Sequence, residues 1–183
     1  MTGDAIFTVG HSSRSFEEFS ALLDEHGIER IVDVRRLPGS NRYPQFNQDA
    51  LTAALADHGI RYTWAEDLTG RRNVSTSVPF ATNAWWQNRS FHNYADHAYS
   101  SPEFGAALAN LAGLGETERV AVMCSEAVWW RCHRRIIADY LLAARRRVTH
   151  ILGPSQASNA SLSTGAVLSD DGRITYPGPP PTP

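Results

Sequence analysis

The tripeptide His-Gly-Ile occurs twice, at His26 and at His58, and each copy joins the end of a helical pattern to the start of an extended one. Before the first copy, Ser15-Phe-Glu-Glu18 has the form of a capping box, and Phe16, Phe19, Leu22 and Leu23 fall on one helical face. Gly27 stops that pattern as a C-terminal glycine does. Before the second copy, Asn47 offers a cap, Leu51 and Leu55 share a face, and Gly59 closes the run. Extended segments at Ile31–Arg35 and Ile60–Trp64 follow the two copies, and Ala5–Val9 precedes the first helix. Two successive βα units in one style call for a parallel sheet with right-handed crossovers.

The rest of the chain fits that frame. Val120-Ala-Val-Met123 is a short, continuous apolar run, the mark of a strand buried on both faces. A helix is expected from Ile136 through Leu142, and Val148–Leu152 is expected to be the last strand. Ser90–Tyr99 predicts a helix with Phe91, Tyr94, Ala95 and Ala98 inward. Ser101-Pro102-Glu103 starts another with Phe104, Leu108 and Leu111 on one face, ended by Gly113 and Gly115. Residues 66–89 have no periodicity and read as a long loop, either a lid or partly disordered. The fold class expected is α/β: one domain over residues 1–152, a mostly parallel sheet of about five strands, and helices on both faces. From Gly153 the composition turns to Ser, Gly and Pro, which predicts a flexible tail with a small hairpin at about 166–176 around Asp171-Gly172.

Charge narrows the function classes. The formal net charge of −2 argues against a general polyanion-binding surface. All 17 basic residues are arginine, so their positions carry more information than their number. Two cysteines are too few for a disulfide framework, and no apolar run reaches the roughly 18 residues of a membrane span. The opening Met1-Thr-Gly-Asp-Ala5 has neither the basic nor the apolar region of a secretion signal, which sets a cytoplasmic expectation.

In a parallel sheet the carboxyl ends of the strands share one edge, and ligands bind there. That rule gathers His11 and Ser12, then Asp33, Arg35 and Arg36, then Glu66 and Asp67, and finally Cys124, Ser125 and Glu126. Each has two readings. Asp33 lies within a strand, where it either pairs with Arg35 or helps to bind a ligand. His11 either caps the first helix or faces a ligand. Cys124, ahead of a helix and near arginines, is either a nucleophile or a small buried residue. The Cys, five residues, Arg spacing of thiol phosphatases is not met, because Arg131 falls one place too far and bulky Val128, Trp129 and Trp130 intervene. Cys132, at helical spacing with Ile136 and Tyr140, reads as a core thiol. The separation of the two cysteines fits no familiar zinc pattern, so no metal is expected. Glu126 suits a general acid or base, or a charge favoured by a helix N-terminus. His133 and Arg134 open that helix and face either the loop or the core. Arg71 and Arg72 follow Gly70 in the long loop. Trp64, Trp85, Trp86, Trp129 and Trp130 all fall next to the expected edge, where tryptophan beside arginine suits stacking on a flat ring.

Thr8-Val-Gly-His-Ser12, Val32-Asp-Val-Arg35 with Pro38, Ser40 and Arg42, and Val122-Met-Cys-Ser-Glu126 with Cys132-His-Arg134 together resemble the domain of unknown function 488 family. Tyr94-Ala95, Pro102-Glu103-Phe104 and Ile137-Ala138-Asp139 fit the same pattern, so the resemblance spans roughly residues 5–152. The family pattern has two glycines before an arginine where this chain has Thr69-Gly70-Arg71. The resemblance implies a compact α/β domain and no settled activity.

The expectation is therefore a small anionic ligand carrying an aromatic ring, a nucleotide or a nucleic-acid end, hydrolysed or transferred without a cofactor. Arg35, Arg42, Arg71, Arg131 and Arg134 would hold the anion, with Ser12, Asp33, Trp129 and His133 beside it. Glu126 and His11 would move protons, and Cys124 would be nucleophile or wall. Two alternatives stay open: a non-catalytic binding or sensor module, and a thiol, redox or metal protein.

Overall fold

The computed structural model describes residues 5–179. The chain runs β1 (Ala5–Gly10), α1 (Phe16–Glu25), β2 (Arg30–Asp33), α2 (Gln48–Asp57), β3 (Arg61–Trp64), α3 (Arg89–Ser100), α4 (Pro102–Thr117), β4 (Val120–Cys124), α5 (Arg134–Ala143), β5 (Arg147–Gly153) and β6 (Gln156–Asn159). A two-stranded hairpin, β7 (Val167–Leu168) and β8 (Ile174–Thr175), follows. The main sheet has the order β3-β2-β4-β1-β5-β6. Its first five strands are mutually parallel, and β6 joins β5 antiparallel as a sixth.

Alternation along the strands sends residues to two cores. Phe7, Val9, Ile31, Ala121 and Met123 pack with Phe19, Leu22, Leu23, Leu51 and Leu55, the inward stripes of α1 and α2. Ile6, Val32, Val120 and Val122 pack on the opposite face with Tyr94, Phe104, Leu111, Ile137 and Leu141 from α3, α4 and α5. Each such fully buried side chain stabilises the fold by about 1.5–3 kcal/mol, which is why β4, in the middle, is apolar throughout.

Local chemistry sets most of the element ends. The capping box at Ser15 is formed: Glu18 N donates to Ser15 Oγ (3.1 Å) and Ser15 N to Glu18 Oε2 (2.8 Å). Ser101 caps α4 through Phe104 N (3.1 Å). Asn47 precedes α2, but its side chain accepts from Ser40 N and caps nothing in the helix. Gly113 and Gly115 do not end α4, which continues to Thr117. A Cβ at Gly115 would stand 2.7 Å from Ile6 Cγ1, so that glycine lets the helix lie close on β1.

The segment after Gly153 is more structured than its composition predicts. Besides β6, it buries Ile174 and Tyr176 completely. Asp139 on α5 accepts from Ser163 N (2.9 Å) and from Tyr176 OH (2.8 Å). The Tyr176 backbone bonds to Thr82 O and to Trp85 N (3.0 Å each). The 66–89 loop is thereby stitched to the C-terminal hairpin, and it contains short 3-10 turns at Glu66–Leu68 and Phe80–Asn83. Residues 180–183, to which the expectation of a tail also applied, lie outside the described residues. No helix among the described residues is long and apolar enough to cross a membrane.

Candidate functional site

The strand order fixes where the site can lie. The chain leaves β1 towards β2 by way of α1, and leaves neighbouring β4 towards β5 by way of α5. The two connections pass over opposite faces of the sheet, α1 packing with Phe7 and Val9 and α5 with Val32 and Val122, so a crevice opens between them at the strands' carboxyl ends. A cleft of about 720 Å³ occupies that crevice. Its lining includes His11, Ser12, Arg35, Arg36, Arg42, Arg71, Cys124, Ser125, Glu126, Arg131, Cys132 and His133, with Tyr43, Phe91 and Tyr94 as its rings.

The two central loops are laced together by backbone. His11 N donates to Cys124 O (3.0 Å) and Ser12 N to Ser125 O (2.9 Å). A Cβ at Gly10 would overlap the Glu126 carbonyl, so this close approach requires glycine. Ser12 (φ 51°) and Arg71 (φ 58°) adopt left-handed backbone without being glycine, and both line the cleft. Strain of this kind is kept where surrounding structure over-determines it, commonly at ligand sites.

Asp33 and Arg35 are a buried ion pair. Asp33 is fully buried and accepts from Arg35 N (3.0 Å), Nε (3.0 Å) and Nη2 (2.6 Å), and from Tyr62 OH (2.7 Å). Burial opposes the Arg35 charge, but the hydrogen bonds and charge of Asp33 outweigh it and raise its pKa. Burial and the neighbouring Asp33 also push Tyr62 well above the ordinary phenol value. Asp33 therefore sits beneath the cleft and holds Arg35 at its surface.

His11 stacks on Phe46 (4.2 Å) and is 3% exposed. Arg35 has only donors, so His11 Nε2 accepts from Arg35 Nη1 (3.3 Å), and His11 Nδ1 donates to Ser12 O (2.9 Å). Burial, joined by Arg35, lowers its pKa to about 4. Both ring nitrogens are engaged and the ring is neutral at pH 7. His11 thus braces Arg35 with both ring nitrogens engaged, at the position where the sequence expects it to move protons.

The thiols occupy the floor of the crevice. Cys124 Sγ lies within 4.8 Å of Cys132 Sγ, which in turn lies 3.6 Å from His133 Nδ1 and accepts from Arg134 Nε (3.3 Å). The neighbouring Cys132 sulfur and burial push the Cys124 thiol well up. Burial alone would raise Cys132, but the Cys124 and Arg134 donors prevail and lower it. Cys132 packs in the core, as its helical spacing predicts, and also lines the cleft; Cys124, likewise buried, lines it too. His133 Nε2 donates to Val34 O (3.0 Å), because a carbonyl can only accept. A Cβ at Gly70 would stand 2.8 Å from His133 Nδ1. Thr69 has ordinary extended backbone (φ −68°), and the close approach to His133 falls at Gly70.

Of the residues expected at the site, Cys124, Glu126, His11, Ser12, Arg35, Arg42, Arg71, Arg131 and His133 line the cleft. Asp33, Arg134 and Trp129 do not. Arg134 is fully buried beneath it, and Trp129 stacks on His150 (4.2 Å, 8°) away from it. None of the five tryptophans lines the cleft. Trp64 Nε1 instead donates to Arg35 O (2.9 Å), while Trp85 and Trp86 pack on each other and on Tyr176. Glu66 and Asp67 also fall outside, their carbonyls tied to Arg72 (3.0 Å) and His97 (3.1 Å). The sequence gives no sign of Phe91 or Tyr43 as cleft rings, since both come from segments remote from the strand ends.

Cys124, Cys132 and His133 bring their donor atoms within 4.8 Å of one another and are, among the described residues, the group with the spacing to hold a metal ion. The buried Arg134 guanidinium against Cys132 Sγ works against a further cation there.

A mostly parallel α/β sheet with a thiol-bearing, arginine-lined cleft at its switch point is the class these features define. The model of the family described as Domain of unknown function DUF488 matches residues 15–141, and the chain belongs to that family. Comparison with curated proteins and with solved structures gave no match.

Proposed function

We propose that the cleft binds a small anionic ligand with a flat ring, a nucleotide or nucleic-acid end, and carries out hydrolysis or group transfer on it. The observation behind this reading is charge. Arg35, Arg36, Arg42, Arg71 and Arg131 line the cleft against a single carboxylate, Glu126, in a chain whose net charge is −2. Arg35 is compensated by Asp33, whereas Arg42 and Arg131 form no ion pair among the described residues. Guanidinium groups suit phosphate and carboxylate oxygens in bidentate geometry. Phe91 and Tyr43 offer faces for a ring, and the Arg42 guanidinium lies 5.5 Å over Tyr43.

Isothermal titration calorimetry with adenosine monophosphate, adenosine and inorganic phosphate tests the reading. The monophosphate is expected to bind tightest, and Arg42→Ala and Arg131→Ala are each expected to weaken it about tenfold or more, the worth of one charge-assisted hydrogen bond. Adenosine binding as tightly as its monophosphate, or indifference to both substitutions, would sink the proposal.

A further inference from the structure

We propose that Cys132 is the nucleophile of the cleft, with Arg134 as the counter-charge of its thiolate and His133 as the base for the step that follows. This deepens the function proposed above and rests on it for the substrate class: an ester or comparable linkage next to an anionic group.

The argument starts from Arg134. Its side chain is fully buried, and no carboxylate pairs with it among the described residues. Nη2 donates to the Glu126 carbonyl, Nη1 has no partner, and Nε points at Cys132 Sγ from 3.3 Å. A guanidinium does not surrender its proton, and leaving it alone in a buried setting is costly. The group at contact distance that can take the opposite charge is Cys132. Cys124 Sγ lies within 4.8 Å of Cys132 Sγ, and that neighbour together with burial pushes its thiol well up, which leaves Cys124 a poor nucleophile itself.

His133 completes the arrangement. Val34 O holds the proton on Nε2, so Nδ1 can only accept; it faces Cys132 Sγ, 3.6 Å away at the wall of the cleft, where it takes the thiol proton as the thiolate forms and passes it to solvent. A nucleophile beside a base, with the base oriented by a third group, is the general signature of covalent catalysis. In the first step the Sγ electron pair bonds to the electrophilic atom of the ligand. The bond from that atom to its leaving oxygen breaks, and the oxygen departs with the electron pair and takes a proton from water. In the second, water attacks the adduct and passes a proton to His133 Nδ1. The Sγ bond breaks with its pair returning to sulfur, and the proton on His133 goes back to solvent.

Iodoacetamide labelling at pH 6.5, mapped by peptide mass spectrometry, tests the thiolate. Only about 1% of an ordinary thiol is ionised at that pH, so Cys132 is expected to react about tenfold or more faster than free cysteine. Cys124→Ser should keep the fast labelling and Cys132→Ser should abolish it. Arg134→Gln should slow it; should that variant not fold, Arg134→Lys, which keeps the charge, should retain it. 4-Nitrophenyl acetate tests the cycle: wild type should release a burst of one nitrophenolate per chain followed by a steady rate, and His133→Gln should keep the burst and lose the steady rate. Both reagents are uncharged, so the outcome is independent of anion binding. Fast labelling at Cys124, no labelling at either cysteine, absence of the burst, or a stoichiometric metal whose removal is needed for labelling would each overturn the proposal.

Discussion

Asp33 shows at the level of one residue how the cleft is founded. Its carboxylate carries no exposed surface, yet it receives three side-chain donors and one backbone N–H. Asp33→Asn would keep the shape and remove the charge, leaving Arg35 buried and uncompensated. A loss of about 3–5 kcal/mol is expected, measured by urea unfolding. Arg42→Ala, on the exposed rim, should fall within about 0.5 kcal/mol of wild type in the same experiment. Equal effects at the two sites would contradict the view of Asp33 as a structural support. Of these residue-scale features, the Asp33–Arg35 pair is readable in the sequence, because a charge inside an apolar strand needs a partner. The role proposed for Cys132 is not, since its helical spacing with Ile136 and Tyr140 is equally good for a core thiol. Only the position of Arg134 separates the two.

At the level of elements, the C-terminal hairpin forms where expected, and its anchoring departs furthest from the flexible tail the composition predicts. Asp171-Gly172 predicts its turn, and Gly172 does adopt φ +82° between β7 and β8. What the composition hides is its anchoring, which depends on two side chains, Ile174 and Tyr176, and on the buried carboxylate of Asp139. Burial pushes Asp139 up, and the Ser163 and Tyr176 donors resist that shift. Tyr176→Phe removes one donor and leaves the ring, so a loss of about 1–3 kcal/mol is expected by thermal or urea unfolding. A change below about 0.5 kcal/mol would mean that the hydroxyl contributes packing alone. α4 teaches the converse lesson: Gly113 and Gly115 look like stops, yet the contact of Gly115 with Ile6 makes a glycine useful inside the helix.

For the whole molecule, two buried histidines tie stability to pH. Burial lowers His11 and His150 to about 4, with Arg35 helping at His11 and Arg134 at His150. Each binds its proton more weakly folded than unfolded, where the value is near 6.5. Between those limits the unfolded chain carries more protons. Stability from these groups is therefore full above about pH 6.5 and is lost as pH falls towards 4, at up to about 1.4 kcal/mol per unit for each histidine. Urea midpoints at pH 7.5, 6.0 and 5.0 should decline, and the decline should be smaller in His150→Gln. A midpoint that holds steady to pH 5.0 would count against both buried imidazoles being neutral.

The sequence by itself determined the parallel α/β frame, because hydrophobic periodicity and helix-end signals are local and the repeated His-Gly-Ile joins fix the order of units. It also determined that His11, Arg35, Cys124 and Glu126 share an edge, since parallel strands all end on the same side. Only the tertiary structure decided which way each side chain turns there. It put Asp33 and Arg134 below the cleft, sent Trp129 to His150, and brought Cys132 against a buried guanidinium. Those outcomes depend on which charges and rings are left without water and must find one another, a matter of contacts between residues remote in the chain that no local pattern encodes.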